Sequence, residues 1–439
     1  MATAGARAAP VARAATELEQ KHRLTELSSG VRVVTESMDS VRSAALGFFI
    51  GTGSSAESEE QAGLSHLVEH MLFRGASRYT SLEIDQIFDG MGAEINAGTG
   101  KESTSVYSRV LDVHLEKAFD VMSDMVWRPR FAQEDLDQER EIVLEEIAMY
   151  EDDPQDKVFD LLGGAVFGSH PLGRAVIGHA SVISGTPAAG LASFHGGRYA
   201  PTNIVVAAAG SIDHDALVAM VDAADPTGGA VSLPESSVVE FSRRTAFVER
   251  KEAEQYHVCL GGPGIARDDD RRFALRVLDN VLGGTSSSRL FQEVREKRGL
   301  AYNVFSFQQL FAGTGEVGLY VGTRPDNLAT ALEVIGAELA RFRDDPASAE
   351  ELARSKENVK GRMVLGLEST GARMGRLGGS VLAGLPILSI DEVMARIDAV
   401  TVEDLRALAV ELFAAEALSV AGIGRDEALF RDALTAVAA

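Results

Sequence analysis

The sequence predicts an α+β protein made of two homologous domains, and three observations lead to this prediction. At 439 residues the chain is longer than one hydrophobic core usually supports. The sequence repeats itself weakly, and a segment rich in glycine, proline and serine separates the two copies. An apolar fraction of 45% is ordinary for a globular protein.

The internal repeat consists of three pairs of segments with similar sequence. They are 97–100 and 312–315, 106–122 and 319–335, and 204–210 and 418–424. The middle pair has the pattern of a strand that leads into a helix. The two halves should therefore share one fold.

The domain boundaries follow from local composition. Residues 226–242 contain the turn-forming residues typical of a linker. We place the first domain at 20–225 and the second at 243–439. Residues 1–19 are rich in alanine but lack the apolar stretch of a secretory signal. We expect them to be a disordered extension of a cytoplasmic bacterial protein; a mitochondrial presequence, with a matrix location, is the alternative.

The segment 63–71 carries the strongest chemical signal. His66 and His70 are four residues apart, so on a helix both imidazoles project from one face and can reach one metal ion at ~2.0–2.1 Å. Glu69 lies beside them and can take a proton from a water molecule that the ion activates. The order His-x-x-Glu-His is the inverzincin signature. These three side chains could also form a solvated face or a hydrogen-bonded cluster without metal. Their neighbours are apolar, namely Leu64, Leu67, Val68, Met71 and Leu72.

A third ligand should come from the acidic run 134–147. Its apolar residues Leu136, Val143 and Ile147 predict an amphipathic helix. Glu139 and Glu146 are seven residues apart and share one face of that helix. Spacing alone leaves open which of the two reaches the ion and which supports the site.

Charge and cysteine content narrow the function classes. The formal charge of −23 and the pI near 4.8 disfavour nucleic acid as a partner and are compatible with basic peptides. The single cysteine, Cys259, cannot form an intrachain disulfide or a thiolate-rich metal site. We find no apolar run of ~18 residues, so no membrane span is predicted.

Around these motifs the chain resembles the pitrilysin or M16 family of metallopeptidases, and within it the processing-peptidase-like bacterial proteins (M16B). The resemblance rests on 66–75 and on the Glu-Arg-x-x-Val-x-x-Glu pattern at 139–146, and it extends from about residue 20 to the C-terminus. It implies two domains, each with a mainly antiparallel sheet flanked by helices, that form a clam-shell around a chamber. It also implies a homodimer, with a heterodimer as the alternative.

The resemblance assigns roles to the motif residues. It implies one Zn²⁺ per chain, held by His66, His70 and Glu146, with Glu69 as the general base. Glu139 matches the family's supporting glutamate. Two histidines and one glutamate also suit other divalent ions, so the residues themselves do not select zinc.

Two further segments match the family. Asn96 and Ala97 correspond to an edge strand to which substrate adds as a further strand, although Gly98 stands where the family usually has an aromatic residue. Arg295 and Tyr302 have the spacing of a pair that reaches over from the second domain. By resemblance, Tyr302 hydrogen-bonds near the scissile carbonyl, where a phenol would stabilise the oxyanion, and Arg295 helps to hold the peptide.

The second half should lack a metal site. Aligning its segment 273–284 with the histidine motif sets Leu275 and Asp279 against the two histidines and Leu278 against the base. Arg362 then falls opposite Glu146. We expect this half to supply a wall of the substrate site. For the glycine-rich stretch 371–379 we expect either a mobile loop that touches substrate or a plain loop between helices.

The sequence therefore predicts a zinc-dependent endopeptidase that acts on short or unfolded peptides. Two alternatives belong to other classes. One is a catalytically silent M16-type scaffold or subunit that needs a partner. The other is a peptide-binding module with structural zinc. The intact Glu69 favours the enzyme, because a structural site needs no base.

Overall fold

The computed structural model describes residues 22–224, 226, 231 and 239–435. The predicted extension 1–19 and most of the predicted linker 226–242 lie outside the described residues. We call 22–224 the first half and 239–435 the second half. Each half contains one mixed sheet flanked by helices, which confirms the predicted fold class.

The first half contains six strands and eight α-helices in its described residues. The strands are β1 His22–Glu26, β2 Arg32–Ser37, β3 Ser43–Ile50, β4 Ile95–Thr99, β5 Thr104–Leu111 and β6 Ile204–Gly210. The helices are α1 Leu64–Leu72, α2 Ser81–Gly90, α3 Leu115–Trp127, α4 Gln133–Asp152, α5 Pro154–Phe167, α6 Ala180–Gly185, α7 Ala188–Arg198 and α8 His214–Ala223.

The second half contains five strands and seven α-helices in its described residues. The strands are β7 Thr245–Glu249, β8 Tyr256–Gly264, β9 Ala301–Leu310, β10 Gly315–Thr323 and β11 Ser419–Gly424. The helices are α9 Arg272–Leu282, α10 Leu328–Asp344, α11 Ala349–Gly366, α12 Thr370–Leu382, α13 Ile390–Ala399, α14 Val402–Leu412 and α15 Glu427–Leu434. A short π-helix, Phe291–Glu296, precedes β9.

The two sheets share the same order of five strands, to which the first sheet adds β1 at one edge, and this agrees with the internal repeat. The first sheet has the order β1-β2-β6-β3-β5-β4 and the second the order β7-β11-β8-β10-β9. In each sheet one pair is parallel, β2 with β6 and β7 with β11, and the other neighbours are antiparallel. The repeated segments at 204–210 and 418–424 are the corresponding central strands β6 and β11.

Two helices are exchanged between the halves. α5 of the first half packs on the second sheet, where Val158, Leu162 and Val166 share a core with Cys259 and Ile423. This contact covers the face of the second sheet that its own helices leave bare. It also explains why strand β11 is buried along its whole length, since a strand covered on both faces carries apolar residues throughout.

The reciprocal contact corrects our expectation for the glycine-rich stretch 371–379, which is neither a mobile loop nor a plain interhelical loop. It lies within α12, whose Met374 and Leu377 are buried against the first sheet beside Val34 and Val205. The glycines let helix and sheet approach closely, because a Cβ on Gly378 would lie 2.3 Å from the Phe49 ring. The sequence pattern suggested flexibility, but the small side chains serve packing.

None of the helices among the described residues has the length and apolar character that crossing a membrane requires.

Candidate metal centre

The histidine motif lies on α1, as predicted, and a buried glutamate holds the start of this helix. Gly63 precedes α1 with a φ of +100°, a conformation that glycine adopts without strain. Glu57 accepts hydrogen bonds from the backbone N–H groups of Gly63 at 2.8 Å and Ser65 at 2.6 Å. Burial raises the pKa of Glu57 to about 7, although both hydrogen bonds oppose this shift. The cap satisfies N–H groups that have no partner within the helix.

Three potential ligand atoms converge at one point. His66 Nε2 and His70 Nε2 are 3.2 Å apart, and Glu146 Oε2 of α4 lies 3.7 Å from the first and 3.5 Å from the second. Ligands bound tetrahedrally at ~2.0–2.2 Å from one ion stand about 3.3–3.5 Å apart. Within the described part of the chain, no other group of three such side chains brings its atoms within 4.8 Å of one another.

Glu139 orients the second histidine. His70 Nδ1–H donates to Glu139 Oε1 at 2.8 Å, and the other carboxylate oxygen pairs with Arg74. This bond fixes the tautomer that leaves the Nε2 lone pair free for a metal. Glu139 is thus a supporting residue in the geometry, while Glu146 faces both imidazoles; the spacing along the helix had left this choice open.

The protonation properties of the two histidines suit a metal. Burial, with a smaller effect from His70, lowers the pKa of His66 to about 4, so this imidazole is neutral near pH 7. Burial also disfavours charge on His70, but the hydrogen bond and charge of Glu139 outweigh burial and raise the pKa of His70. A neutral imidazole, an oriented imidazole and a carboxylate form the donor set of a catalytic zinc site with an open position.

Glu69 lies beside the ligand cluster without being part of it. The Thr99 hydroxyl donates to Glu69 Oε2 at 2.5 Å. Burial raises the pKa of Glu69, and the Thr99 hydrogen bond partly offsets the rise. A positioned carboxylate with a raised pKa is a better proton acceptor near neutral pH than an exposed one.

His66, Glu69 and Glu146 line a cavity of about 450 Å³ between the two halves, which we call the metal cavity. Its remaining charged residues are mostly acidic: Lys101, Asp156, Asp160 and Glu316. An aromatic wall comes from Phe159 of α5 and Phe307 of β9, whose ring centroids are 5.3 Å apart. This wall occurs although Gly98 lacks the ring expected there.

The predicted substrate strand is at an edge of the first sheet. β4, which contains Asn96 and Ala97, is the last strand in the sheet order. The Ala97 N–H donates to the Asn96 side-chain oxygen at 2.8 Å. The backbone N–H of Ala97 at this edge is therefore hydrogen-bonded to the side chain of the preceding residue.

The structure does not bring Arg295 and Tyr302 into the metal cavity. Tyr302 is 71% exposed near the start of β9. The Arg295 guanidinium lies 4.4 Å from the centre of its ring and donates to its carbonyl oxygen at 3.1 Å. Phe307 of the same strand lines the cavity, five residues and roughly 17 Å farther along an extended strand.

The second half lacks a corresponding ligand cluster in its described residues. α9 replaces α1, and Leu275 and Leu278 are buried in its core. Asp279, the counterpart of His70, accepts a hydrogen bond from the Ser306 hydroxyl. Arg362 lies on α11, which corresponds to α4.

Sequence reasoning missed three positioning residues: Glu57, Arg74 and Thr99. Arg74 is four residues after His70, a helical spacing that could have shown its proximity to the site. Thr99 is two residues after Ala97 and shares its side of β4. For Glu57 the sequence has no comparable signal, because an irregular loop brings it to α1.

Comparison with family models gives two matches. Residues 32–180 match the insulinase domain of peptidase family M16. Residues 188–359 match the M16 inactive domain, in agreement with the missing ligands of the second half.

Bacterial relatives cover nearly the whole chain. An uncharacterized zinc protease of Streptomyces coelicolor is 42% identical over 445 residues, which cover 97% of each chain. One of Bacillus subtilis is 39% identical over 391 residues, 88% of this chain and 94% of the relative.

Among solved structures, a peptidase M16 inactive domain of Pseudomonas fluorescens has a TM-score of 0.86 and 24% identity, and covers 92% of this chain and 98% of its own. A protease of Helicobacter pylori has a TM-score of 0.86 and 21% identity, with 92% and 99% covered. These two structures support the fold.

Proposed function

The chain belongs to the M16 (insulinase) family of peptidases, and on this premise we propose that it is a zinc-dependent endopeptidase that hydrolyses short or unfolded peptides. The convergence of His66, His70 and Glu146, with Glu69 on the same cavity wall, carries the proposal. Three protein ligands leave a fourth position open, whereas structural zinc sites are usually closed. The open position weighs against a peptide-binding module with structural zinc.

The residues of the chain divide the chemistry between them. A bound Zn²⁺, one per chain, would supply a Lewis acid that polarises water and the peptide carbonyl. Glu69 accepts a proton from the water as its oxygen adds to the carbonyl carbon. Glu69 then gives that proton to the amide nitrogen as the C–N bond breaks, which yields an amine and a carboxylic acid that loses its remaining proton at neutral pH. Thr99 holds the base, and Glu139 holds His70, in position for these transfers.

The substrate would bind as an added strand along β4. Strand addition relies on backbone hydrogen bonds and makes few sequence demands. The Asn96 side-chain oxygen already occupies the Ala97 N–H, so a peptide carbonyl would take its place. The carboxylates Asp156, Asp160 and Glu316 in the cavity would favour basic side chains over acidic ones.

Removal of metal tests the function directly. Purified protein treated with a chelator should lose cleavage of a quenched fluorescent peptide, and one equivalent of Zn²⁺ per chain should restore it, because no protein group replaces the Lewis acid. As a control for damage by the chelator, Zn²⁺ is added to the protein before the chelator instead of after it. Cleavage that persists in metal-free protein, as measured by elemental analysis, would contradict the proposal. Complete absence of cleavage in zinc-loaded protein would favour the silent-subunit alternative.

We also propose a homodimer, because a single chain does not place Tyr302 and Arg295 in its own metal cavity. An exposed tyrosine with a stacked arginine is suited to an interface. Each copy would then offer this pair to the cavity of the other copy. A heterodimer, the M16B assignment and a cytoplasmic location remain predictions from the sequence.

Mixing two inactive variants tests this arrangement. Glu69→Gln and Tyr302→Phe should each be poorly active alone, and mixing them under conditions of subunit exchange should restore part of the activity. Restoration is expected because one mixed dimer has one intact site, composed of Glu69 from one copy and Tyr302 from the other. The control is a mixture of Glu69→Gln with Glu146→Gln, which cannot form an intact site. Equal activity of both mixtures, or a monomer in sedimentation, would refute the shared site.

A further inference from the structure

The second half contains a cavity of about 640 Å³ bounded by α9, α11 and α12, which we call the arginine cavity. Four arginines and one carboxylate are its charged lining residues: Arg272, Arg276, Arg362, Arg376 and Asp279. The formal charge of the whole chain is −23. A positively charged cavity in an acidic protein creates a local electrostatic potential that attracts anions.

The arginine cavity is the counterpart of the metal cavity. Its bounding helices α9, α11 and α12 follow the same order as α1, α4 and α5, which bound the metal cavity. Arg362 stands opposite Glu146, and Arg276 follows Leu275, the residue opposite His66. The second half has thus kept the cavity of the fold and changed its chemistry from acidic to basic.

Two of the arginines, Arg276 and Arg362, form no side-chain hydrogen bond or salt bridge with any residue that the structure describes. Both are exposed to solvent in the cavity. Desolvation by the surrounding protein and the charge of Arg272 lower the pKa of Arg276, while Asp279 opposes this shift. An anion that entered would relieve the repulsion between neighbouring guanidinium groups.

The other charged residues of the cavity are already held in place. Arg376 donates to the Leu388 carbonyl, and Arg272 donates to the Asp269 carbonyl at 2.9 Å. Asp279 is hydrogen-bonded to Ser306, and burial raises its pKa. The single carboxylate therefore does not neutralise the cavity.

We propose that the arginine cavity binds an acidic peptide segment, with Arg276 and Arg362 as the groups that hold its carboxylates. Guanidinium groups bind carboxylates through paired, charge-assisted hydrogen bonds. Apolar residues line much of the rest of the cavity, among them Phe273, Val359 and Met363. Such a surface suits the stems of peptide side chains better than a free inorganic anion, which would leave it uncovered. The site does not depend on catalysis at the metal centre.

Binding is measured with a fluorescein-labelled peptide of alternating glutamate and alanine, by fluorescence anisotropy. The full-length Glu69→Gln protein is used to prevent cleavage. The experiment is run at physiological ionic strength, where the Debye length is about 8 Å and the net charge of the chain repels the peptide less. Saturable binding is expected, and Arg362→Ala or Arg276→Ala should weaken it at least roughly tenfold. Neither substitution removes a hydrogen bond or salt bridge among the described residues, so both variants should fold.

Arg354→Ala is the matched control. Arg354 lies on α11, like Arg362, but outside the cavity, and forms an exposed salt bridge with Glu350 at 3.7 Å, so its loss should leave peptide binding unchanged. Equal weakening by Arg354→Ala would show a general charge effect and would overturn the proposal. Binding of pyrophosphate without binding of the acidic peptide would also overturn the proposal. The same holds if Arg362→Ala weakens binding of a lysine–alanine peptide as much as it weakens binding of the acidic peptide.

Discussion

Replacement of Glu69 by glutamine is expected to reduce peptide cleavage by a factor of roughly 10²–10⁴, the range that general-base catalysis usually contributes. Glutamine keeps the shape of the side chain and can still accept the Thr99 hydrogen bond, but it cannot take a proton from water. Because Glu69 is not part of the ligand cluster, the variant should retain one Zn²⁺ per chain. The measurement pairs initial rates on a quenched peptide with elemental analysis of the same sample.

Glu141→Gln is the matched control for this substitution. Glu141 is an exposed glutamate on α4 and does not line the metal cavity, so its variant should cleave at the wild-type rate. Wild-type activity of Glu69→Gln would remove this residue from the mechanism. Loss of zinc together with activity would instead show that Glu69 is needed to hold the metal.

The second large effect concerns Glu146. Glu146→Gln should lower zinc affinity strongly and abolish cleavage, since an amide replaces the carboxylate that faces both imidazoles. Glu139→Gln should have a smaller effect on affinity, roughly 10–100-fold, as is typical of residues that orient a ligand. Zinc affinity is measured by competition with a fluorescent chelator.

This comparison decides between the two glutamates that share a face of α4. Glu145→Gln provides the control, because Glu145 is exposed on the same helix next to the proposed ligand. If Glu139→Gln lost zinc more completely than Glu146→Gln, the assignment of the third ligand would have to be exchanged. Equal zinc content in all three variants would exclude a carboxylate ligand from α4.

The sequence was sufficient to predict the two-domain fold and the parts of the site that depend on helical spacing. The interval between His66 and His70 fixes their common direction on α1, and no tertiary information is needed for that step. The internal repeat predicted that the two halves share one fold, and its segments 204–210 and 418–424 are corresponding strands of the two sheets. The family resemblance then selected Glu146, and the distances to both imidazoles agree with that selection.

Other features depend on contacts that no local pattern encodes. The glycines of 371–379 have low helix propensity, yet this segment is a helix because Met374 and Leu377 are buried against the first sheet. Tyr302 matches the family in sequence, but its location outside the metal cavity follows from the length of β9. Glu57 reaches α1 through a loop, so its role was visible only in three dimensions.

The exchange of α5 and α12 limits how a substrate can enter. Prying the two sheets apart within one chain would expose side chains such as Val158, Leu162, Val166, Met374 and Leu377. At roughly 1.5–3 kcal/mol for each buried apolar side chain, that opening would cost on the order of 10 kcal/mol, comparable with the stability of a whole domain. The exchanged helices thus hold the two sheets together and oppose a hinge movement between them. A peptide substrate of the kind proposed above would have to enter the metal cavity without separation of the two sheets.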